Sequence, residues 1–584
     1  MSQEQNKDMS QYFYRASAAD FKKIPGAPVA YWISPEQLSM FDSHPTLSST
    51  ANVVEGSTTG DVNRFLRMWF EVSHNNVGLG FADKSEAAAS NRKWFPYNKG
   101  GEYRKWYGNN LYTVNWKDDG AEIKDYSGSF VRGEKFYFKP GITWSKVSSG
   151  SLSFRMFNEG YLFDTGGLCA FASDPEYICA VLNSKAALGI MEILAPTLNF
   201  TVGTVSSIPI KKGLSGIFDL AKSLKIKSKI DWDSCEVSYD FASLPLLSLG
   251  CPLSEIKMSY QKLSAQYRET TQVVQQLEEK NNRIFIDAYG LQNELTPDVP
   301  LEEITLTCNP NYRYGGNKSE AELETLLQCD TLRELVSYAI GCMMGRYSLD
   351  KPGLILASQG ETLQDYLRQI PSPRFVPDDD AILPLTDQEW FADDATNRFR
   401  EFIRVVWGEE HLQQNLDFVA ESLCLHAIKP KKGEASLDTI RRYLSTQFFK
   451  DHLRTYKKRP IYWLFSSGKH KAFECLVYLH RYNEGTLARM RTEYVIPLTA
   501  KLSTYAAKLE KDVEASTSTA EKKALEKELT TLHNQQAELA TFDETLRHYA
   551  DQRISLDLDD GVKVNYGKFG DLLAEVKTVT GDKE

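Results

Sequence analysis

The chain has 584 residues, 68 Lys and Arg against 78 Asp and Glu, and 42% hydrophobic content. These values exclude a disordered tail, a collagen-like fibre and a disulfide-stapled miniprotein, and the length predicts several domains. A formal charge of −10 argues against a protein that coats nucleic acid over its whole surface, so basic character has to be sought segment by segment. Nine cysteines without a CxxC pair suggest neither a zinc ribbon nor a disulfide framework and fit a reducing cytoplasm. The N-terminus lacks a signal-type apolar core. No stretch approaches the roughly 18 apolar residues of a membrane span, so no membrane partner is expected.

Residues 1–55 read as a linker. From Gly56 to about Ile210 the chain is rich in aromatics, Gly, Ser and Asn. Short alternating runs at Lys135–Phe138 and Ser151–Phe154 predict strands, and the whole stretch 56–250 reads as a mixed α/β domain. Ile256, Tyr260, Leu263, Tyr267, Val274, Leu277 and Ile284 then keep a helical spacing broken by Thr270 and Asn281. This predicts one long amphipathic helix within 251–300, either a connector or a helix packed on its own domain. Segments 301–370 and 371–490 read as helical domains, with Ile370 to Asp380 as a proline-rich acidic loop or seam. In 491–584, Leu498, Leu502, Tyr505 and Leu509 precede a Ser/Thr break, after which Leu525, Leu529, Leu532, Leu539 and Leu546 resume the spacing. Two antiparallel helices would bury both stripes. From Leu556 to Gly567 a turn and an extended piece are expected. The fold class is therefore α+β: a mixed α/β domain followed by a mostly α-helical region with a long connector helix and a helical hairpin.

The strongest chemical signal runs from Arg92 to Gly108, with five basic residues, one acid and six aromatics. Phosphates select Lys and Arg, base edges select forked Arg or amide donors, and a Gly-Gly step lets backbone approach a ligand. Arg92, Lys93, Lys99, Arg104, Lys105 and Trp106 are candidate DNA contacts, unless the aromatics simply pack beneath a surface loop. Asn63 and Arg64 carry the right chemistry for adenine and guanine edges. A second basic and aromatic cluster supplies Lys457, Lys458, Arg459 and Lys469, whose alternative role is to cap a helix.

Two motifs are set aside. Asn309-Pro310-Asn311-Tyr312 superficially resembles the Asn/Asp-Pro-Pro-aromatic motif of amino-methyltransferases, but Asn311 replaces the second proline. Pro377-Asp378-Asp379-Asp380 could suggest metal ligands but reads as a solvated loop. HExxH, GxSxG and GxxxxGK[ST] patterns are absent, so no catalytic, cofactor-binding or metal residue is assigned.

The runs Asp20–Trp32, Thr59–Trp69, Trp94–Gly108, Ile304–Gly315, Ile340–Asp350 and Arg459–Gly468 resemble the BREX phage-defence adenine-specific DNA methyltransferases, the PglX family. The stretch from Leu182 to Gly203 with Ile208–Ile210 resembles the closing part of recognition domains in type I and type IIG restriction-modification systems. The resemblance implies that 56–250 is a target-recognition domain. It also implies that the methyltransferase domain, with its S-adenosylmethionine turn and Asn-Pro-Pro-Tyr motif, lies outside this chain, which would be a C-terminal half, either a fragment or a split gene product. The expected partners are double-stranded DNA, a methyltransferase domain or polypeptide, and other BREX proteins. A scaffold that docks defence-complex proteins is the alternative, and a complete enzyme using Asn309–Tyr312 is a third reading.

Overall fold

The computed structural model describes residues 17–148, 150–248 and 255–581. The fold is α+β, divided into two compact units that are each assembled from three stretches of chain. The first holds Met1–Leu66, Val77–Trp232 and Tyr267–Gly315, and the second holds Arg67–Asn76, Asp233–Gln266 and Gly316–Glu584. No single helix among the described residues is long and apolar enough to cross a membrane. The eight described cysteines are free thiols.

The first unit is organised on a four-stranded antiparallel sheet in the order Ala51–Val54, Gly167–Ala172, Gly141–Ser145, Arg155–Phe157. Its central strand, Gly-Leu-Cys-Ala-Phe-Ala, is buried along nearly its whole length, as expected of a strand covered on both faces. Helices Pro175–Leu182 and Lys185–Leu194 follow. They start where Asp174 and Ser184 accept hydrogen bonds from the backbone amides of Tyr177 and Ala187, the usual way of satisfying a first turn. Ile142, Trp144, Phe154, Leu168, Val181 and Ile190 belong to one core that also holds Ile217 and Leu224 of helix Ile217–Asp233 and Val274 and Phe285 of the long helix. A second sheet pairs Trp94–Asn98 antiparallel with Tyr112–Asn115 and parallel with Leu162–Phe163.

The long helix spans Ile256–Tyr289. Its part up to Gln266 belongs to the second unit and its part from Tyr267 to the first. Asn281, which breaks the apolar stripe, is 1% exposed and donates to the carbonyl of Ala180 at 2.9 Å. Asn282 accepts from the Lys185 amide at 3.0 Å. The polar interruption at Asn281 therefore binds neighbouring backbone instead of facing water.

The second unit is mainly helical around a three-stranded antiparallel sheet, with Glu474–Tyr478 between Tyr462–Ser466 and Ile382–Pro384. Helix Glu320–Met343 is capped by Ser319, with Glu322 reciprocating. Arg346 is completely buried, donating to Tyr347 and Tyr478 at 3.1 and 2.9 Å, with its guanidinium 5.5 Å from the centre of the Trp69 ring. Helices Ile496–Ala515 and Thr519–Asp551 form the hairpin. Leu498, Leu502, Leu509, Leu532, Leu539 and Leu546 are buried in it, whereas Leu525 and Leu529 are half-buried.

Three local expectations are corrected. Lys135–Phe138 forms a turn, with Phe138 at φ 69°, and not a strand. Ser151–Phe154 precedes strand Arg155–Phe157 instead of forming one. Residues 561–567 form a short helix where an extended piece was expected. Pro377–Asp380 is a loop, as expected, with the Asp379 side chain 74% exposed and that of Asp380 4% exposed. Burial and the neighbouring Asp380 carboxylate push the Asp378 carboxyl up to about 8.

Two predictions follow from this packing. Leu539→Ala should cost about 2–5 kcal/mol of unfolding free energy in denaturant titration. Stability should also depend on pH in opposite senses. Burial and then Arg346 hold the His452 and His480 imidazoles down to about 3, and the His452 ring nitrogen accepts from the Ile461 and Tyr462 amides. The unfolded chain binds their protons first, so stability is lost as pH falls from 6.5 toward about 3. The raised Asp378 removes stability as pH rises from 3.8 toward about 8. Chemical denaturation across this range checks both, and Asp378→Asn should flatten the decline between the histidine range and pH 8.

Candidate nucleic-acid interface

The basic-aromatic segment begins as strand Trp94–Asn98, all five residues of which are buried. Gly100 and Gly101 then turn the chain at φ 86° and 153°. A Cβ on Gly101 would lie 2.5 Å from the Asn109 side-chain nitrogen, and one on Gly100 would lie 3.0 Å from the Gly166 carbonyl. The Gly-Gly step is therefore required by the protein's own close packing. Asn109 closes the loop by donating to the Glu102 carbonyl at 2.9 Å.

Past the turn the chain dives inward. Trp106 joins its neighbour as backbone, donating to the Phe154 carbonyl at 2.9 Å and accepting from the Met156 amide at 2.8 Å. Arg104 is 3% exposed. It donates to Asp231 at 2.6 Å, to the Tyr107 carbonyl at 2.9 Å and to Thr307 at 3.0 Å, and its guanidinium lies 5.1 Å from the Trp232 ring centre. Asp231 also accepts from the amides of Thr307 and Cys308 at 2.7 and 2.8 Å, so its carboxylate is fully engaged. Lys105, 4% exposed, pairs with Glu278, and the same carboxylate accepts from the Trp106 indole at 2.8 Å. Burial pulls the Lys105 ammonium down, but Glu278, Tyr103 and Glu303 together more than offset it, so the group stays charged.

Arg104, Lys105 and Trp106 are thus corrected as candidate DNA contacts. Their side chains are spent inside the first unit, because carboxylates on helices Ile217–Asp233 and Ile256–Tyr289 are placed to take them. Asn309 is likewise structural. It is completely buried, donates to the carbonyls of Leu301 and Ile304, and caps helix Pro310–Tyr314 by accepting from the Asn311 amide. The Tyr312 hydroxyl donates to the Tyr103 carbonyl.

The remaining candidates of this unit reach the surface to different degrees. Arg92, Lys93 and Lys99 are half-buried, with the Lys93 and Lys99 ammoniums 5.4 and 5.5 Å from the Trp94 and Tyr112 ring centres. Asn63 and Arg64 are exposed on a single turn, Val62–Phe65, capped by Asp61. Arg64 leans on the rings of Phe65 and Tyr126 and lies 3.7 Å from Glu122, so it shares its charge.

The other group belongs to the second unit. Lys457 and Lys458 adopt left-handed φ of 50° and 60° where helix Phe449–Thr455 ends, and the Lys458 amide returns to the Leu453 carbonyl at 2.7 Å. This is a helix C-cap, and cations suit its exposed carbonyls. Both side chains are exposed, whereas Arg459 is half-buried and 3.8 Å from Glu71. Lys469 is exposed in a turn held by Glu538, which accepts from Ser467, His470 and Ala472. Among the described residues no group of three His, Cys, Asp or Glu could hold a metal.

One basic segment was not singled out from the sequence. Residues 211–230 hold six lysines and one acid, most of them on helix Ile217–Asp233. The density of lysine alone was a usable signal.

The arrangement defines an α+β protein whose β-rich unit anchors a basic-aromatic loop to two helices through buried ion pairs. No family model matches the chain. It is 47% identical over 571 residues to the adenine-specific methyltransferase BrxX of Escherichia coli O9:H4 (strain HS), covering 96% of the chain and 46% of that protein. It is 37% identical over 582 residues to the adenine-specific methyltransferase PglX of Lacticaseibacillus casei (strain Zhang), covering 97% of the chain and 46% of that protein. The chain therefore spans about half the length of the curated relatives it matches.

Breaking either buried pair from one side should be costly. Glu278→Gln leaves Lys105 charged and unpaired in the interior and should lose about 3–5 kcal/mol in denaturant titration. Lys99→Ala, at the surface, should stay within about 0.5 kcal/mol of the parent.

Proposed function

We propose that this chain is the DNA-recognition part of an adenine-specific DNA methyltransferase of BREX type, working with a methyl-transferring region outside it. The observation that carries the reading is the pair of relatives named as adenine-specific methyltransferases, matched along nearly all of this chain but along less than half of their own length. The residues present do not form the target-amine site of an amino-methyltransferase. None of the 22 prolines adjoins another, so the Asn-Pro-Pro-aromatic motif cannot be formed. The nearest approximation, Asn309, has its amide committed to two backbone carbonyls.

Presenting an adenine to a catalytic pocket requires taking it out of the stack at a cost of a few kcal/mol, offset by contacts to the surrounding duplex. Arg92, Lys93 and Lys99, which keep part of their surface, are the proposed phosphate contacts of this segment, and Asn63 and Arg64 the proposed contacts to base edges. Lys457, Lys458 and Lys469 form a separate exposed set for the second unit. Other BREX proteins are further expected partners.

The chain alone should be retained on duplex DNA at low salt, with affinity falling steeply as salt rises. It should give no heat with S-adenosylmethionine in calorimetry. Co-expression with the relatives' remaining region should restore site-specific adenine methylation. Binding of S-adenosylmethionine by this chain alone, or no retention on any duplex at low salt, would overturn the reading.

A further inference from the structure

The acidic total of the chain is not evenly shared. The first unit carries 29 basic and 30 acidic side chains and the second carries 39 and 48. Many acids of the second unit already hold a cation: Asp394 takes Arg441, Glu434 takes Arg442, Asp543 takes Arg491 and Asp350 takes Arg374. Asp387 and Glu528 hold none among the described residues. Both line a groove of about 260 Å³ between the loop that follows strand Ile382–Pro384 and the helical hairpin. Lys527 also lines it, but is exposed and makes no ion pair with either acid among the described residues.

One stripe of helix Thr519–Asp551 supplies Glu528, Leu532 and Gln535, and two turns of helix set the first and last about 10 Å apart along its axis. Gln535 is 7% exposed, and its nitrogen donates to Asp387 at 3.1 Å and to the His470 carbonyl at 3.3 Å. Both partners are acceptors, which fixes the orientation of the amide. Glu528 accepts from the Tyr505 hydroxyl through one oxygen. This hydrogen bond, and then burial, push the phenol up to about 12, so Tyr505 stays neutral. Trp390 sets its edge against the Tyr505 ring, 5.8 Å between centres. Three acceptors on the groove have no donor among the described residues: one oxygen of Asp387, the second oxygen of Glu528 and the buried carbonyl of Gln535. Lone pairs without donors select a ligand rich in N–H groups. Two carboxylates held apart by Leu532, beside an aromatic ring, select one whose cations are separated by methylenes.

We propose that this groove binds a linear aliphatic polyamine, with one ammonium on Asp387 and the Gln535 carbonyl, another on Glu528, and the methylene chain over Leu532. The bound amine would tie the loop after strand Ile382–Pro384 to the hairpin. The site lies wholly within the second unit and does not depend on the DNA-recognition reading.

The test is calorimetric titration of the full 584-residue chain with spermidine, without DNA and at physiological ionic strength. Spermidine should bind saturably, the shorter putrescine more weakly, and the uncharged octanediol not at all. Asp387→Asn and Glu528→Gln should each weaken spermidine by about tenfold or more, the loss expected for one hydrogen bond to a charged group. Glu526→Gln removes an exposed acid of the same helix outside the groove and should leave the affinity unchanged. Thermal melts of the three variants should match the parent without ligand and separate from one another only when spermidine is added. Absence of saturable spermidine binding, or parental affinity in both groove variants, would overturn the proposal. So would octanediol binding as well as spermidine, or an equal loss in the Glu526 variant, which would reduce the effect to general acidity.

Discussion

Two buried ion pairs organise the first unit. Arg104 with Asp231, and Lys105 with Glu278, pull one loop down onto two helices. Burying charge is tolerated only where partners and hydrogen bonds are complete, and here they nearly are: Asp231 also accepts two backbone amides and Glu278 also accepts an indole. Such an arrangement adds little net stability compared with apolar packing, but it admits few alternative geometries. The Gly-Gly turn, the left-handed Trp106 at φ 71° and the bridge to strand Arg155–Phe157 are all consequences of bringing both cations to fixed carboxylates.

The same pairs decide which charge faces solvent. A segment with a local excess of four positive charges gives up two of them to the interior. On the helix that receives Arg104, Lys222 is exposed, whereas Lys225 and Lys229 are half-buried, the first 3.8 Å from Glu176 and the second 5.2 Å from the Tyr107 ring centre. Charge counted along the sequence and charge left at the surface are therefore different quantities.

Elements whose pattern is local were legible in the sequence. The stripe from Ile256 to Ile284 and the two leucine series around Ala515–Thr519 gave the long helix and the hairpin, because a 3.6-residue period needs no knowledge of partners. Asn281 was read as an interruption, whereas it is a buried backbone ligand, a role set by Ala180 a hundred residues away. The fate of Arg104 and Lys105 was not legible for the same reason: their acids lie 127 and 173 residues downstream. Lys135–Phe138 alternates like a strand but lies in a turn, since alternation over four residues does not specify a pairing partner. The assembly of each unit from three separated stretches reflects those long-range contacts as well.

Lysine footprinting of the folded chain with an amine-reactive label, with and without duplex DNA, tests the central claim most directly. The account predicts that Lys105 is unmodified in the free chain, that Lys99 is modified, and that duplex DNA suppresses labelling at Lys99. Labelling of Lys105 at the rate of Lys99 in the native chain, or a duplex that binds without shielding Lys99, would contradict it.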